Sequence, residues 1–264
     1  MLLPTLTQEP ADLRAMMRSG EISGLTSGMA PGYVQANLVI LPREQAFDFL
    51  LFCQRNPKPC PLLEVVEAGS VEPSQMAPGV DLRTDLPRYR VFENGELVEE
   101  PTSISHVWRD DLVSFLIGCS FTFEAALING GIRIPHFEEG KNTAMFVTSI
   151  ETTPAGIFSG PMVVSMRAIP RKKLVRAIQI TSRFPSVHGS PVHIGDPAAI
   201  GVKDITTPDL GDPAVVGEDD VPVFWGCGVT PQAVAMKSKP PLMITHAPGH
   251  MFITDVPDED MAIL

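Results

Sequence analysis

Between Pro185 and Pro197 the chain reads PSVHGSPVHIGDP, which places His188 and His193 five residues apart among three prolines and two glycines. Imidazole is the side chain best suited to exchange protons near neutral pH. Proline fixes φ and glycine permits positive φ, so this loop has little freedom to lose on ordering. Two later loops carry comparable chemistry. GCGVTPQ (226–232) sets Cys227 between Gly226 and Gly228, and THAPGH (245–250) carries His246 and His250. The three loops are expected to converge on one site, with the four histidines as candidate acids and bases and Cys227 as a candidate nucleophile.

VPVFWGCGVTPQ reads as a strand, a glycine-flanked turn and a helix capped by Thr230 with Pro231 as its first residue. Free amides at a helix start suit an anion, and the helix dipole is expected to lower the pKa of Cys227. Gly226, Gly228 and Thr230 are therefore candidate substrate-binding positions. Cys119 and Ser120, in a Gly-Cys-Ser break between two stretches read as helical, are a second such place. Arg167 stands in the apolar strand VVSMR, where an unpaired charge is costly. It either pairs with an acid, Glu124 in SFTFEAAL being equally out of place, or clamps a ligand carboxylate. Zinc is a competing reading of the His188/His193 and His246/His250 spacings, although the chain has neither HExxH nor CxxC. GxGxxG, a Walker loop and a GxSxG elbow are absent as well, which leaves nucleotide cofactors and serine hydrolysis without support.

These residues need a scaffold. A helix is expected over 8–19, a buried strand over 36–41, a helix over 43–55 and a strand over 62–66, an order that suggests a parallel sheet covered by helices. A hairpin turns at Glu93-Asn94-Gly95, and a helix is read over about 109–117, continuing over 121–129. TAMFVTSIE and PMVVSMRAI look like paired strands followed by a helix from Pro170. VPVFW, a helix from Thr230, LMIT and MFITDV complete the chain. The expected architecture is α/β, a three-layer αβα sandwich from 1–135 with 215–264 and a smaller α+β lobe from 136–214, the site lying near their junction.

Thirty-one acidic against twenty basic residues give a net charge of −11, which speaks against nucleic acid or anionic lipid as partner. No stretch reaches the roughly 18 apolar residues of a membrane span, and no basic-then-apolar export signal is seen. A cytoplasmic setting with four reduced cysteines is expected, and the homo-oligomeric state is open.

Eight blocks carry a resemblance: PGYVQANLVILP, FCQRNPKPCPLLEV, DLRTDLPRYRV, IGCSFTFEAAL, GPMVVSMRAI, SRFPSVHGSPVHIGDP, VPVFWGCGVTPQ and THAPGHMFITDV. Over roughly 10–256 the chain resembles the bacterial hydro-lyase family grouped with D-glutamate cyclase. The resemblance implies conversion of D-glutamate to 5-oxo-D-proline and water, or a related dehydration of a small amino or hydroxy acid, assisted by a divalent ion such as manganese. On residue chemistry Asp196 or Asp255 would ligate that ion. Arg167 would hold the α-carboxylate, His188 or His193 act as base, the 226–230 amides form the oxyanion site, and His246 or His250 act as acid. Two other readings stand beside it: a non-catalytic binding protein for a small carboxylate, and a metal-dependent hydrolase of a cyclic amide.

Overall fold

The computed structural model describes residues 9–263. Strand β1 (Tyr33–Pro42), buried at nine of its ten residues, is the axis of the larger sheet. One edge pairs over Ala36–Pro42 with β5 (Leu112–Gly118). The opposite edge is shared: β10 (Leu242–His246) faces Val39 and Ile40, while β11 (Phe252–Pro257) faces Tyr33 to Ala36. Both run antiparallel to β1, so they lie end to end, with 247–251 looped out between them. β2 (Leu62–Val66) joins the outer side of β5, and the hairpin of β3 (Tyr89–Glu93) and β4 (Glu96–Glu99) extends the sheet from β10, making seven strands.

The expected parallel sheet is not formed; every pairing is antiparallel. Helix α2 (Arg43–Arg55) does carry the chain from β1 to β2, but β5 is inserted between those two parallel strands. The insertion follows from 112–118, where a helix was expected. All seven residues of LVSFLIG are buried, and a short apolar run buried on both faces is a central strand that helical periodicity cannot distinguish.

Phe49, Phe52 and Cys53 of α2, with Val234 and Ala235 of α6 (Thr230–Ser238), cover one face of this sheet against Val39, Leu41 and Phe115. The other face, with Leu38, Ile40, Leu116 and Ile244, packs beneath Met76, Leu82, Leu86 and Ile104 of the long connections. Helix α1 (Pro10–Ser19) lays Leu13 and Met17 on Ile253 of β11.

A second antiparallel sheet has the order β6 (Ala144–Glu151), β7 (Pro161–Pro170), β9 (Asp220–Gly226) and β8 (His193–Ile194). Helices α3 (Glu124–Asn129) and α5 (Leu174–Ser182) cover one face, with Phe123, Leu127 and Ala177 packed on Ile169, Val223 and Trp225. Helix α4 (Pro135–Glu139) leads into β6. The protein is thus mixed α/β with two antiparallel sheets. Among the described residues no helix is long and apolar enough to cross a membrane.

Candidate functional site

The two sheets meet where β5 ends. Gly118 is fitted against the loop that follows α5: a Cβ there would stand 2.1 Å from the Ser186 carbonyl oxygen. The chain then leaves the sheet through Cys119, whose Sγ accepts the Phe121 amide at the head of a 3-10 turn over Ser120–Phe123. The Gly-Cys-Ser segment is therefore a strand exit, not the helix-to-helix break expected from sequence. Glu124 follows at the start of α3 and points back under β7.

Arg167 of β7 answers it. Its Nε donates to Glu124 Oε1 at 3.0 Å, its Nη2 bonds the same oxygen, and Nη2 also donates to Ser120 Oγ at 3.0 Å. The guanidinium lies over the rings of Phe123 and Trp225, at 5.3 and 5.5 Å from their centroids. Of the two fates open to Arg167, pairing with Glu124 is the one realised. Yet Nη1, on a side chain only 1% exposed, has no partner among the described residues. Glu124 also bonds His136 Nε2 at 2.9 Å, which in turn meets Thr143 Oγ1 at 2.9 Å. Burial works to raise the carboxyl's pKa, but the charges of Arg167 and His136 outweigh it and hold the group below its ordinary value.

His188 reaches the same seam from the loop after α5. It has φ +82°, the left-handed region that few non-glycine residues enter, and is 1% exposed. Its Nδ1–H donates to the Lys58 carbonyl at 2.7 Å, which fixes the tautomer and leaves a lone pair on Nε2. Nε2 is buried and makes no well-formed hydrogen bond, although the Gly118 backbone lies close enough to the ring to favour its protonated form slightly. Burial, reinforced by the charges of Lys58 and Arg167, lowers the imidazole to a pKa of about 4, so the ring is neutral at pH 7.

The β9–α6 turn closes the seam. A Cβ on Gly226 would stand 2.7 Å from the Lys58 carbonyl oxygen, and one on Gly228 would stand 2.0 Å from Asn37 Nδ2. Asn37, on β1, in turn donates to the Gly118 carbonyl at 2.7 Å. The glycines here let elements touch one another. The turn's amides are largely committed: Cys227 N–H donates to Val163 O and Thr230 N–H to Cys227 O, both at 3.0 Å. Thr230 does not cap α6; its hydroxyl donates to Cys227 O at 2.7 Å and accepts the Val163 amide at 3.0 Å. Nor is Cys227 activated by the helix. Burial pushes its thiol up, beyond what the Ser165 hydroxyl and the Val229 amide recover, and Cys119 is likewise pushed up.

The seam thus gathers Cys119, Ser120, Arg167, His188, Gly226, Cys227, Gly228 and Thr230. The other candidates lie elsewhere. His193 sits on β8, its Nε2–H donating to Asp196 O at 2.7 Å and its ring against Phe224. His246 fills the break between β10 and β11: its Nδ1 stands 3.2 Å from the Leu38 amide nitrogen and 3.3 Å from the Leu38 carbonyl oxygen, replacing the missing ladder partner. Burial lowers it to a pKa of about 4 as well. His250 donates through Nδ1 to Pro248 O at 3.0 Å, and burial also lowers its pKa.

The residues offered for a divalent ion have other duties. Asp196 Oδ1 accepts the Ala198 amide at 3.0 Å, and both Asp255 oxygens are held by Arg14 at 2.8 and 3.1 Å. Among the described residues no three His, Cys, Asp or Glu side chains gather as a ligand set for manganese or zinc.

Three contributors escaped the sequence reading. Lys58 is hidden in the proline-rich NPKPCP, His136 follows Pro135 in an otherwise featureless stretch, and Asn37 is the lone polar residue of ANLVIL. Only Asn37 carried a signal, since an amide inside a buried strand must find partners.

A profile of the family described as D-glutamate cyclase matches residues 113–255, which span β5, the Arg167 strand, the His188 loop and both later loops. Three bacterial proteins, each named "Putative hydro-lyase", are similar throughout. The one from Geobacillus kaustophilus is 62% identical over 96% of this chain and 96% of its own. That from Stutzerimonas stutzeri is 60% identical over 97% and 96%, and that from Bacillus subtilis 59% over 97% and 99%. Among solved structures, a nitrogen repressor-like protein from Methanococcus jannaschii aligns over 92% of this chain and 97% of its own, with 11% identity and a TM-score of 0.38, a likeness too slight to carry any argument.

Proposed function

The chain belongs to the D-glutamate cyclase family, and from that premise we propose that it is a hydro-lyase closing D-glutamate to 5-oxo-D-proline with release of water. The observation that carries the reading is a pair of buried, unpartnered nitrogens in one seam: Arg167 Nη1, a donor, and His188 Nε2, a lone pair. Buried polar atoms without partners are rare, and an uncommitted donor and acceptor together suit a ligand that is both anion and acid. An amino acid is such a ligand.

In this reading Arg167 Nη1 holds a substrate carboxylate, and the Glu124 and Ser120 bonds keep the guanidinium from turning. His188 takes a proton from the substrate ammonium through Nε2. The freed amine attacks the γ-carboxyl carbon, an intramolecular step that needs no second substrate to be gathered. The C–N bond forms, nitrogen gives up its second proton, and the γ-carboxyl oxygen departs with both protons as water. A base of pKa about 4 is weak for this task in the empty protein. A carboxylate bound beside the ring adds a negative charge and moves the pKa back towards neutrality, so binding itself prepares the base.

The test is proton NMR of the protein with D-glutamate and, separately, L-glutamate, each with and without manganese. The reading expects 5-oxoproline from D-glutamate, and a loss of about 10²-fold or more in His188→Asn. Asn tolerates the left-handed backbone of that position, so the variant should fold. Product formation undiminished in His188→Asn would remove the assigned base, and silence with both enantiomers would sink the cyclase assignment.

A further inference from the structure

A cavity of about 240 Å³ opens on the side of Glu124 away from Arg167, between the 28–33 loop and the first turns of α3. Met29, Phe121, Ile128 and Phe137 give it an apolar wall, and Gln35, Glu124 and Asp258 bring amide and carboxylate oxygens to a lining that also holds Tyr33 and Asn129. All three hydrogen bonds to Glu124 from Arg167 and His136 end on Oε1. Among the described residues no donor reaches Oε2. Gln35 is 4% exposed and spends its Nε2 on the carbonyls of Thr26 and Met29, at 3.0 and 3.1 Å. Those two bonds fix the orientation of the amide and leave Oε1 buried with no donor. Asp258 adds another carboxylate to the lining, and no Lys, Arg or His lines the cavity among the described residues.

An acceptor left without a donor in a buried place carries a cost that a donor-bearing ligand would remove. Here Gln35 Oε1 is buried and unsatisfied, and Glu124 Oε2, which accepts no hydrogen bond among the described residues, belongs to the lining of the same cavity, most of whose remaining wall is apolar or aromatic. We propose that this cavity binds a protonated primary amine bearing an apolar or aromatic group. Its ammonium is held by Gln35 Oε1 and Glu124 Oε2, and its hydrocarbon part lies against Met29, Phe121, Ile128 and Phe137. Arg167 and His136 approach Glu124 on its other oxygen, so the ammonium and the guanidinium share one carboxylate without meeting. Carboxylate ligands are disfavoured, because Asp258 and Glu124 would face them with no cation between. The site is therefore separate from the carboxylate-binding role given to Arg167, and it does not depend on the reaction the protein catalyses.

The probes are 2-phenylethylamine, its neutral counterpart 2-phenylethanol and the anion 3-phenylpropionate, titrated calorimetrically into the full-length protein. The amine should bind at least tenfold more tightly than the alcohol, and the anion should not bind. Gln35→Met removes one acceptor but also the Thr26 and Met29 tethers, so a loss of binding there could reflect a damaged fold. Ile128→Arg avoids that: Ile128 is 39% exposed on the cavity rim, and a cation there should weaken the amine at least tenfold while the protein stays folded. Failure of the amine to bind up to about 10 mM, equal affinity for amine and alcohol, or unchanged amine affinity in a folded Ile128→Arg protein would each overturn the proposal.

Discussion

Lys58 and His188 hold each other at two points: the Lys58 carbonyl accepts Nδ1–H of the imidazole at 2.7 Å, and the Lys58 ammonium donates to the His188 carbonyl at 3.0 Å. The same ammonium reaches Ser190 O and Oγ at 2.8 and 2.9 Å. One lysine thus sets both the tautomer of the ring and the path of the loop that carries it, although it belongs to the connection between α2 and β2.

Lys58→Met keeps the carbonyl and removes the ammonium. The loss of its hydrogen bonds should cost about 1–3 kcal/mol in urea unfolding. The His188 titration followed by ring NMR should move up from about 4, because one of the charges depressing it is gone. An unmoved midpoint would mean that the lysine does not act on the ring.

Acid should destabilise the fold well before the carboxylates titrate. His188 and His246 both titrate near 4 in the folded protein against 6.5 when free, so between those values the unfolded chain binds more protons. Stability is full above pH 6.5 and falls as pH drops towards 4, by about 3 kcal/mol for each histidine. Denaturation midpoints at pH 7.0 and 4.5 should differ accordingly, and His188→Asn should remove its own share. A flat profile over this window would show that the rings are not buried as described.

Arg167 and Glu124 form a buried pair whose halves are worth little alone. Arg167→Met should cost about 3–5 kcal/mol by leaving a buried carboxylate unpaired, and Glu124→Met a comparable amount. The double variant should lose clearly less than the sum of the two. Strict additivity in unfolding experiments would mean that the ion pair does not exist in solution.

Gly118→Ala should be among the most damaging small substitutions, because the new methyl would meet the Ser186 carbonyl 2.1 Å away, and a backbone neighbour cannot swing aside. Gly24→Ala is the matched control, with nothing within 4 Å of its Cβ and no positive φ. Thermal unfolding should separate the two by several degrees.

Much of this scaffold was legible. The spans of α2, β2, the β3–β4 hairpin, β6, β7 and β9 follow from periodicity and turn residues, because each has a clear apolar pattern bounded by Pro, Gly or Asn. Strand order was not legible, since β5 reads as well as a helix and its placement decides whether β1 and β2 touch. Arg167 and Glu124 were legible as misfits, and pairing was the physical answer. Cys227 shows the opposite failure. A glycine-flanked thiol at a helix start suggests activation, but burial, which the sequence does not reveal, outweighs the helix dipole.

β1 sits at the middle of the larger sheet, yet one of its two edges is paired by residues beyond 240. During synthesis it emerges about two hundred residues before those partners and must wait, with a long apolar edge open, until they too have been made. Pairings so distant along the chain make for slow closure of the sheet, and an open edge of that kind is a template for the wrong partner. Newly made protein should therefore lean on chaperones more heavily than its size suggests, and the eleven residues of β10 and β11 act as the latch that ends that dependence.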